Sequence, residues 1–273
     1  MTAQLGFGLP VSGRWATPET IRHIARRAEE LGYASLWTFQ RVLSPAAESV
    51  LDPVLPLAYV AGHTERIRLG TATICAPFVA PALLAKTLTS LDVLSGGRLT
   101  VGLGMGWMPE EYAAAGVPFD RRGERMDEYL RCLHALWTQD PVEFAGEFYT
   151  VPRSHMGPPP VQRPHPPVLL GGSAAPALRR AGRLAQGWIA SSKHDLNTLG
   201  ASIETVRAGA REAGRDPDAL RIVVRRTPEQ ALDLAALAAH GVTEVILDLN
   251  FTPHVDAERA LDDYAPTRLR PSA

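Results

Sequence analysis

Strand-like and helix-like segments alternate along this chain from one end to the other. LGFGL (5–9), ASLWT (34–38), RIRLGTATI (66–74), RLTVGLG (98–104), PVLLG (167–171), GWIAS (187–191), LRIVVR (220–225) and VTEVILDL (242–249) are apolar runs of strand length. Helical patterns separate them. Thr17 is placed to cap a helix with Pro18 at its first position; Ile21, Ile24, Ala25, Ala28 and Leu31 form its apolar stripe, and Gly32 ends it. Further helices are expected at 53–63, at 82–95 with Leu84, Leu88, Leu91 and Leu94 inward, at 123–138 with Met126, Tyr129, Leu130, Leu133 and Leu136 on one side, and at 174–185 and 197–214. TPEQ (227–230) has the form of a capping box opening another helix, and a short helix is expected at the end of the chain.

About eight such units in sequence predict parallel strands joined by crossover helices, and thus an α/β fold closed as a (β/α)8 TIM barrel, with residues 1–273 as one domain. An open doubly wound sheet is the alternative, but it needs fewer strands or a second domain. Residues 141–166 interrupt the alternation with a Pro-rich loop and a possible hairpin, VEFAGEFYTV, before the stiff connection GPPPVQRPHPP (157–167).

Composition narrows the function classes. A formal net charge of −1 implies no basic face, so no nucleic-acid partner is expected. Cys75 and Cys132, the 2 cysteines, have neither metal spacing nor a disulfide framework, and no metal site is expected. The start, MTAQLGFGLP, lacks the pattern of a signal peptide, and no apolar run reaches the ~18 residues of a membrane span, so a cytoplasmic protein is expected.

Barrel chemistry sits at the C-terminal ends of the strands. The stretches to inspect are 10–15, 39–43, 73–77, 104–111, 171–173, 191–194, 225–226 and 250–254. GLGMGW places Gly102, Gly104 and Gly106 at the end of the fourth strand. A dinucleotide fingerprint would need GxGxxG after the first strand and an acidic residue ending the second, and neither condition holds. Two readings remain: glycine lets a strand end pack closely, or bare backbone leaves room for a flat ligand. Gly171-Gly172-Ser173 lies between a strand and a helix that Ser173 can cap, which makes a ready anion site. Trp15, Phe39, Phe78, Trp107 and Trp188 offer aromatic lining that suits a planar cofactor. His194 and His254 follow strands, and Cys75 reads as a packing thiol.

FGLPVSGRW, the block from LGTATIC to ERMDEYL (69–130) and PPVLLGGSAAPALRRAGRLAQGWIA resemble the luciferase-like monooxygenase superfamily, most closely its deazaflavin (F420)-dependent oxidoreductases. The resemblance spans about residues 5–191. It implies a TIM barrel that binds coenzyme F420, or alternatively FMN, at the mouth, and an F420-dependent oxidoreductase that transfers hydride; the alternatives are an FMN-dependent luciferase-like monooxygenase and a non-catalytic flavin-binding barrel. The ring would lie centrally near Ala72, Thr73, Ile74, Gly104, Met105, Gly106 and Trp188, and the phosphate at Gly171, Gly172 and Ser173. It further implies a non-prolyl cis peptide at Ala72–Thr73, a small organic substrate and a homodimer. Two departures matter. Where many F420 relatives carry Asp-His after the second strand, this chain has Gln40 and Arg41. Where one subgroup keeps a catalytic Glu, it has Trp107, with Glu110 and Glu111 nearby. Gln40, Arg41, Trp107 and Glu110 are therefore the catalytic candidates: Gln40 as a donor to ring or substrate, Arg41 as an anion holder or a salt-bridged residue, and Glu110 as an acid or a helix-start carboxylate.

Overall fold

The computed structural model describes residues 2–44, 49–230, 232–249 and 256–269. Its elements in chain order are β1 (Gln4–Gly8), α1 (Pro18–Glu30), β2 (Ser35–Thr38), α2 (Leu55–Ala61), β3 (Arg68–Thr71), β4 (Ile74–Cys75), α3 (Pro81–Leu94), β5 (Leu99–Gly104), α4 (Pro109–Ala114) and α5 (Arg122–Thr138). They continue with β6 (Val142–Ala145), β7 (Thr150–Ser154), β8 (Val168–Gly171), α6 (Ala175–Leu184), β9 (Gly187–Ala190), α7 (Leu199–Glu212), β10 (Arg221–Arg226), α8 (Leu234–Ala239), β11 (Glu244–Leu247), α9 (Ala257–Asp263) and α10 (Pro266–Leu269).

The parallel strands run β1-β2-β3-β5-β8-β9-β10-β11, and β11 pairs back onto β1 to close a TIM barrel. β4 resumes the third strand after a break at 72–73, where the Ala72–Thr73 peptide is cis. The expected hairpin is present as antiparallel β6 and β7. Buried Glu128 on α5 holds it, accepting hydrogen bonds from the N–H groups of Glu147 (2.9 Å), Phe148 (2.7 Å) and Tyr149 (2.7 Å).

Local chemistry accounts for the helices. Thr17 Oγ1 accepts the Thr20 N–H at 3.2 Å with Pro18 at the first position, and Gly32 takes a φ of 81° beyond the helix end. In α3, Leu84, Leu88 and Leu91 are buried as expected, but Leu94 is 72% exposed. At about 100° per residue the stripe through 84, 88 and 91 continues to position 95, not 94; Ser95 is the buried residue there. TPEQ also departs from expectation. Gln230 Oε1 accepts the Thr227 N–H at 2.9 Å, yet the next helix begins at Leu234 under an Asp233 cap. The other end of the Gln230 amide donates to Ser192 O at 2.9 Å, which fixes 227–230 as a turn against the β9 loop.

Alternate strand residues face the barrel interior. Trp37, Ala72, Leu169, Ile189, Val223 and Ile246 form its central apolar layer. Below them, at the floor, buried Glu244 accepts from Trp37 Nε1 (3.0 Å), Arg68 Nη2 (3.0 Å) and Arg221 Nη2 (3.2 Å), and also from Ser35 Oγ. Gly70 is bare because the Trp37 ring occupies the space beside it, and Gly6 because Ser35, Glu244 and the Trp37 indole nitrogen do.

Candidate active site

Continuing the same alternation upward places Gly8, Phe39, Gly104, Gly171, Ser191, Arg225 and Asp248 at the inward positions of the mouth. Most of these are small. The mouth layer therefore carries small residues where the layer beneath carries Trp37, Leu169 and Ile189.

The glycine run of β5 faces the third strand. Thr71 Oγ1 donates to Gly102 O and accepts from Gly102 N, both at 2.9 Å, and a Cβ on Gly102 would overlap the Thr71 carbonyl. A Cβ on Gly104 would come within 2.7 Å of Thr73 Oγ1. Gly106, at a φ of 71°, faces Cys75, Phe78 and Tyr112. Three alternating glycines thus make room for three alternating residues of the third strand. Ile74 is buried in the core, and Met105 packs against that core while its carbonyl accepts from the Tyr112 hydroxyl. Burial, followed by the nearby Glu111 charge, pushes the Cys75 thiol up to about 12, so it stays protonated.

Gly171 lies against the Thr73 side chain, so Thr73 stands between the β5 and β8 strand ends. Gly172 takes a φ of 124°, and its carbonyl accepts from Trp188 Nε1 at 2.7 Å. Trp188 is fully buried and meets His194 edge-on at 5.2 Å, so it fixes the turn rather than presenting a face to the mouth. The expected Ser173 cap is not formed. The N-cap of α6 is Ala174, which has no side-chain hydrogen bond, because the helix starts one residue later than Ser173 would require. Ser173 is exposed. Among the described residues, the N–H groups of Ser173, Ala174 and Ala175 have no hydrogen-bond partner.

A latch joins the loops after β2 and β5. Gln40 Oε1 accepts the Cys75 N–H at 2.7 Å, which leaves its amide nitrogen as the available donor. Arg41 Nη1 lies 3.2 Å from Glu111 Oε2 and 2.9 Å from Met108 Sδ, and its guanidinium sits 5.3 Å from the centre of the Trp107 ring. Glu111 is buried and also accepts the Val42 (2.7 Å) and Leu43 (3.2 Å) N–H groups. Trp107 is 69% exposed and Glu110 is exposed in the first turn of α4. The structure therefore brings Gln40, Arg41, Trp107, Thr73, Gly104 and Gly171 to one end of the barrel, with Glu110 on its outer rim. His254 and the rest of 250–254 lie outside the described residues.

Sequence reasoning missed the roles of Glu111 and of the Arg225–Asp248 ion pair, in which Arg225 Nε is 3.0 Å from Asp248 Oδ2. The available signal was alternation: Arg221, Val223 and Arg225 share one face of β10, and Glu244, Ile246 and Asp248 share one face of β11 and its extension. Among the described residues no group of three or more His, Cys, Asp or Glu is placed to hold a metal, and no helix is long and apolar enough to cross a membrane.

A family model for luciferase-like monooxygenases matches residues 4–266. The chain belongs to this family. An uncharacterized protein of Mycobacterium tuberculosis is 36% identical over 219 residues, covering 79% of this chain and 73% of that protein. The FMNH2-dependent dimethylsulfone monooxygenase of Pseudomonas putida is 32% identical, covering 71% of this chain and 54% of its own. The F420-dependent hydroxymycolic acid dehydrogenase of Mycobacterium tuberculosis is 30% identical, covering 80% of this chain and 61% of its own. Among solved structures, an F420-dependent secondary alcohol dehydrogenase shares the fold at a TM-score of 0.74 and 22% identity, covering 83% of this chain and 69% of that one. The dimethylsulfone monooxygenase and the hydroxymycolic acid dehydrogenase are thus named for different cofactors, FMNH2 and F420.

Proposed function

We propose that this protein is a deazaflavin (F420)-dependent oxidoreductase that moves hydride between the cofactor and a small organic substrate. The observation that carries this reading is the pairing of small inward residues at the mouth, Gly8, Gly104, Gly171 and Ser191, with an unsatisfied anion turn at Ser173–Ala175. A flat ring fits the first, and a phosphate fits the second, where free N–H groups meet the N-terminus of α6. A cofactor carrying both groups is thereby matched in two places. Trp188 and Gly172 hold the turn in position. When bound, the deazaflavin supplies a carbon centre that takes or gives hydride and reacts little with oxygen. The chain's own part is to seat the ring, present one face to the substrate, and offer the Thr73 hydroxyl and the Gln40 amide as polar groups at that end. The family match over 4–266 supports one barrel domain across 1–273.

An FMN-dependent monooxygenase is the second reading, supported by the 32% identical FMNH2-dependent relative. Fluorescence quenching with each cofactor separates the two. Micromolar binding of F420 with none for FMN is expected, and the reverse result overturns the assignment. We further propose that two copies pair. Leu55 and Tyr59 on α2 and Leu83 and Leu94 on α3 are exposed apolar residues on adjacent helices. Light scattering is expected to give a dimer mass, and Leu94→Glu a monomer.

A further inference from the structure

β10 sends Arg221, Val223 and Arg225 toward the barrel interior. Arg221 joins Glu244 at the floor, Val223 lies in the central apolar layer, and Arg225 stands at the mouth. β11 and its extension repeat the pattern with Glu244, Ile246 and Asp248. Arg225 donates to Asp248 Oδ2 from both Nε, at 3.0 Å, and Nη2. The two side chains are only 16% and 2% exposed.

A guanidinium has a side-on edge, Nε with Nη2, and an end-on edge, Nη1 with Nη2. Asp248 takes the side-on edge. Among the described residues Nη1 has no hydrogen-bond partner, so the end-on edge is left open. Arg221 at the floor differs: its Nη1 meets Thr100 Oγ1 at 3.1 Å and its Nη2 meets Glu244 at 3.2 Å. A nearly buried guanidinium that keeps two parallel donors open at a ligand mouth is built to receive two oxygens.

We propose that the end-on edge of Arg225 receives the carboxylate of an organic-acid substrate and holds it beside the cofactor ring. The proposal rests on the reading of the mouth as the cofactor site. Two features of the pair favour a carboxylate. Its two equivalent oxygens bring a full negative charge across the fork, whereas the acceptor edge of an oxidised flavin-type ring is neutral and makes the weaker pair. The cofactor's phosphate has its own place at the β8–α6 turn, and β9 lies between that strand and β10. Asp248 cancels the guanidinium charge and fixes its plane, so recognition depends on hydrogen-bond geometry more than on long-range attraction.

The test titrates the cofactor-loaded protein with benzoate and, as the neutral isostere, benzamide, by calorimetry. Benzoate is expected to bind at least ~10-fold more tightly than benzamide. Arg225→Gln should remove about that preference, Arg225→Lys should keep part of it, and cofactor affinity should stay within about twofold in both. The double variant Arg225→Gln/Asp248→Asn removes both charges and serves if the single variant unfolds. Equal binding of benzoate and benzamide overturns the proposal, as does a benzoate affinity unchanged in Arg225→Gln. A cofactor affinity lowered ~10-fold in Arg225→Gln overturns it too, because the fork then faces the cofactor. Should neither cofactor bind the wild type, the proposed function fails by itself; the same titration of the cofactor-free protein still decides whether the fork prefers the carboxylate.

Discussion

The floor and the mouth of this barrel use the same parts to opposite ends. At the floor, Gly70 is bare beside the Trp37 ring and Gly6 beside the Ser35–Glu244–Trp37 cluster, and Glu244 gathers Trp37, Ser35, Arg68 and Arg221. At the mouth, Gly104 and Gly171 are bare beside a single threonine, a tryptophan holds the backbone of Gly172, and Arg225 pairs with Asp248. The mouth keeps adjacent donors pointing to one place: among the described residues the N–H groups of Ser173, Ala174 and Ala175 and the end-on edge of Arg225 have no partner. Buried polar groups are ordinarily paired, so a satisfied cluster signals stability and a surplus of donors signals a ligand. Glycine likewise carries no meaning by itself; what stands beside it decides.

Removing the floor carboxylate should test the comparison hardest. Glu244→Ala strips the shared acceptor from two arginines, one of them largely buried. A stability loss of about 3–5 kcal/mol is expected in denaturant unfolding, with cofactor affinity of the folded fraction unchanged. An equal loss of cofactor affinity would erase the division between the two ends. Gly172→Asp attacks the other end. It puts a carboxylate into the anion turn, at a left-handed position where a Cβ comes within 2.8 Å of the Ala177 Cβ. Cofactor affinity is expected to fall at least ~100-fold, against a stability loss of about 1–3 kcal/mol from the backbone position. Gly172→Ala carries the same strain without the charge, so the difference between the two variants isolates the phosphate contact. Equal quenching curves for the two would place the phosphate elsewhere.

What was legible in the sequence was local. Caps, apolar stripes and turn glycines operate within a few residues, and they yielded the order of strands and helices and the hairpin. Alternation within strands also identifies the inward face, although the charged ends of RIVVRR and EVILDL were not followed to that face. The failures have two sources. Leu94 and the TPEQ box were errors of phase and of competing partners, since Ser192 claims one end of the Gln230 amide. The others depend on contacts between distant segments. Arg41 meets Glu111 70 residues away, and Asp92 on α3 accepts Val161 N 69 residues away. No spacing rule reads such pairs, because closure of the barrel brings them together. The same holds for GLGMGW, whose glycines answer to Thr71, Thr73 and Cys75 on a neighbouring strand.

The latch lies between the extremes of the comparison. Glu111 is buried and satisfied, as at the floor, yet it holds the mouth loops. Glu111→Gln keeps the shape but weakens acceptance from Arg41, Val42 and Leu43. A stability loss of about 1–2 kcal/mol is expected, together with altered emission of the exposed Trp107. An unmoved emission spectrum would separate the latch from the loop that carries Trp107.

The smallest effect concerns acid. Burial lowers both His165, in the Pro-rich connection and stacked on Trp137, and His194, beside Trp188, below the usual histidine value of 6.5. Each takes up a proton more readily in the unfolded chain than in the folded one, so stability rises with pH through this window and is lost as pH falls below about 6.5. His194 is the one near the mouth, packed on the tryptophan that fixes Gly172. The midpoint of thermal unfolding should therefore drop between pH 7.5 and pH 5.5, and His194→Gln should remove part of that drop. A cofactor affinity that weakens over the same interval in the wild type, but not in His194→Gln, would show protonation reaching the anion turn through Trp188. Affinity that is flat while the unfolding midpoint falls would confine the histidines to stability and leave the mouth's free donors to act independently of pH.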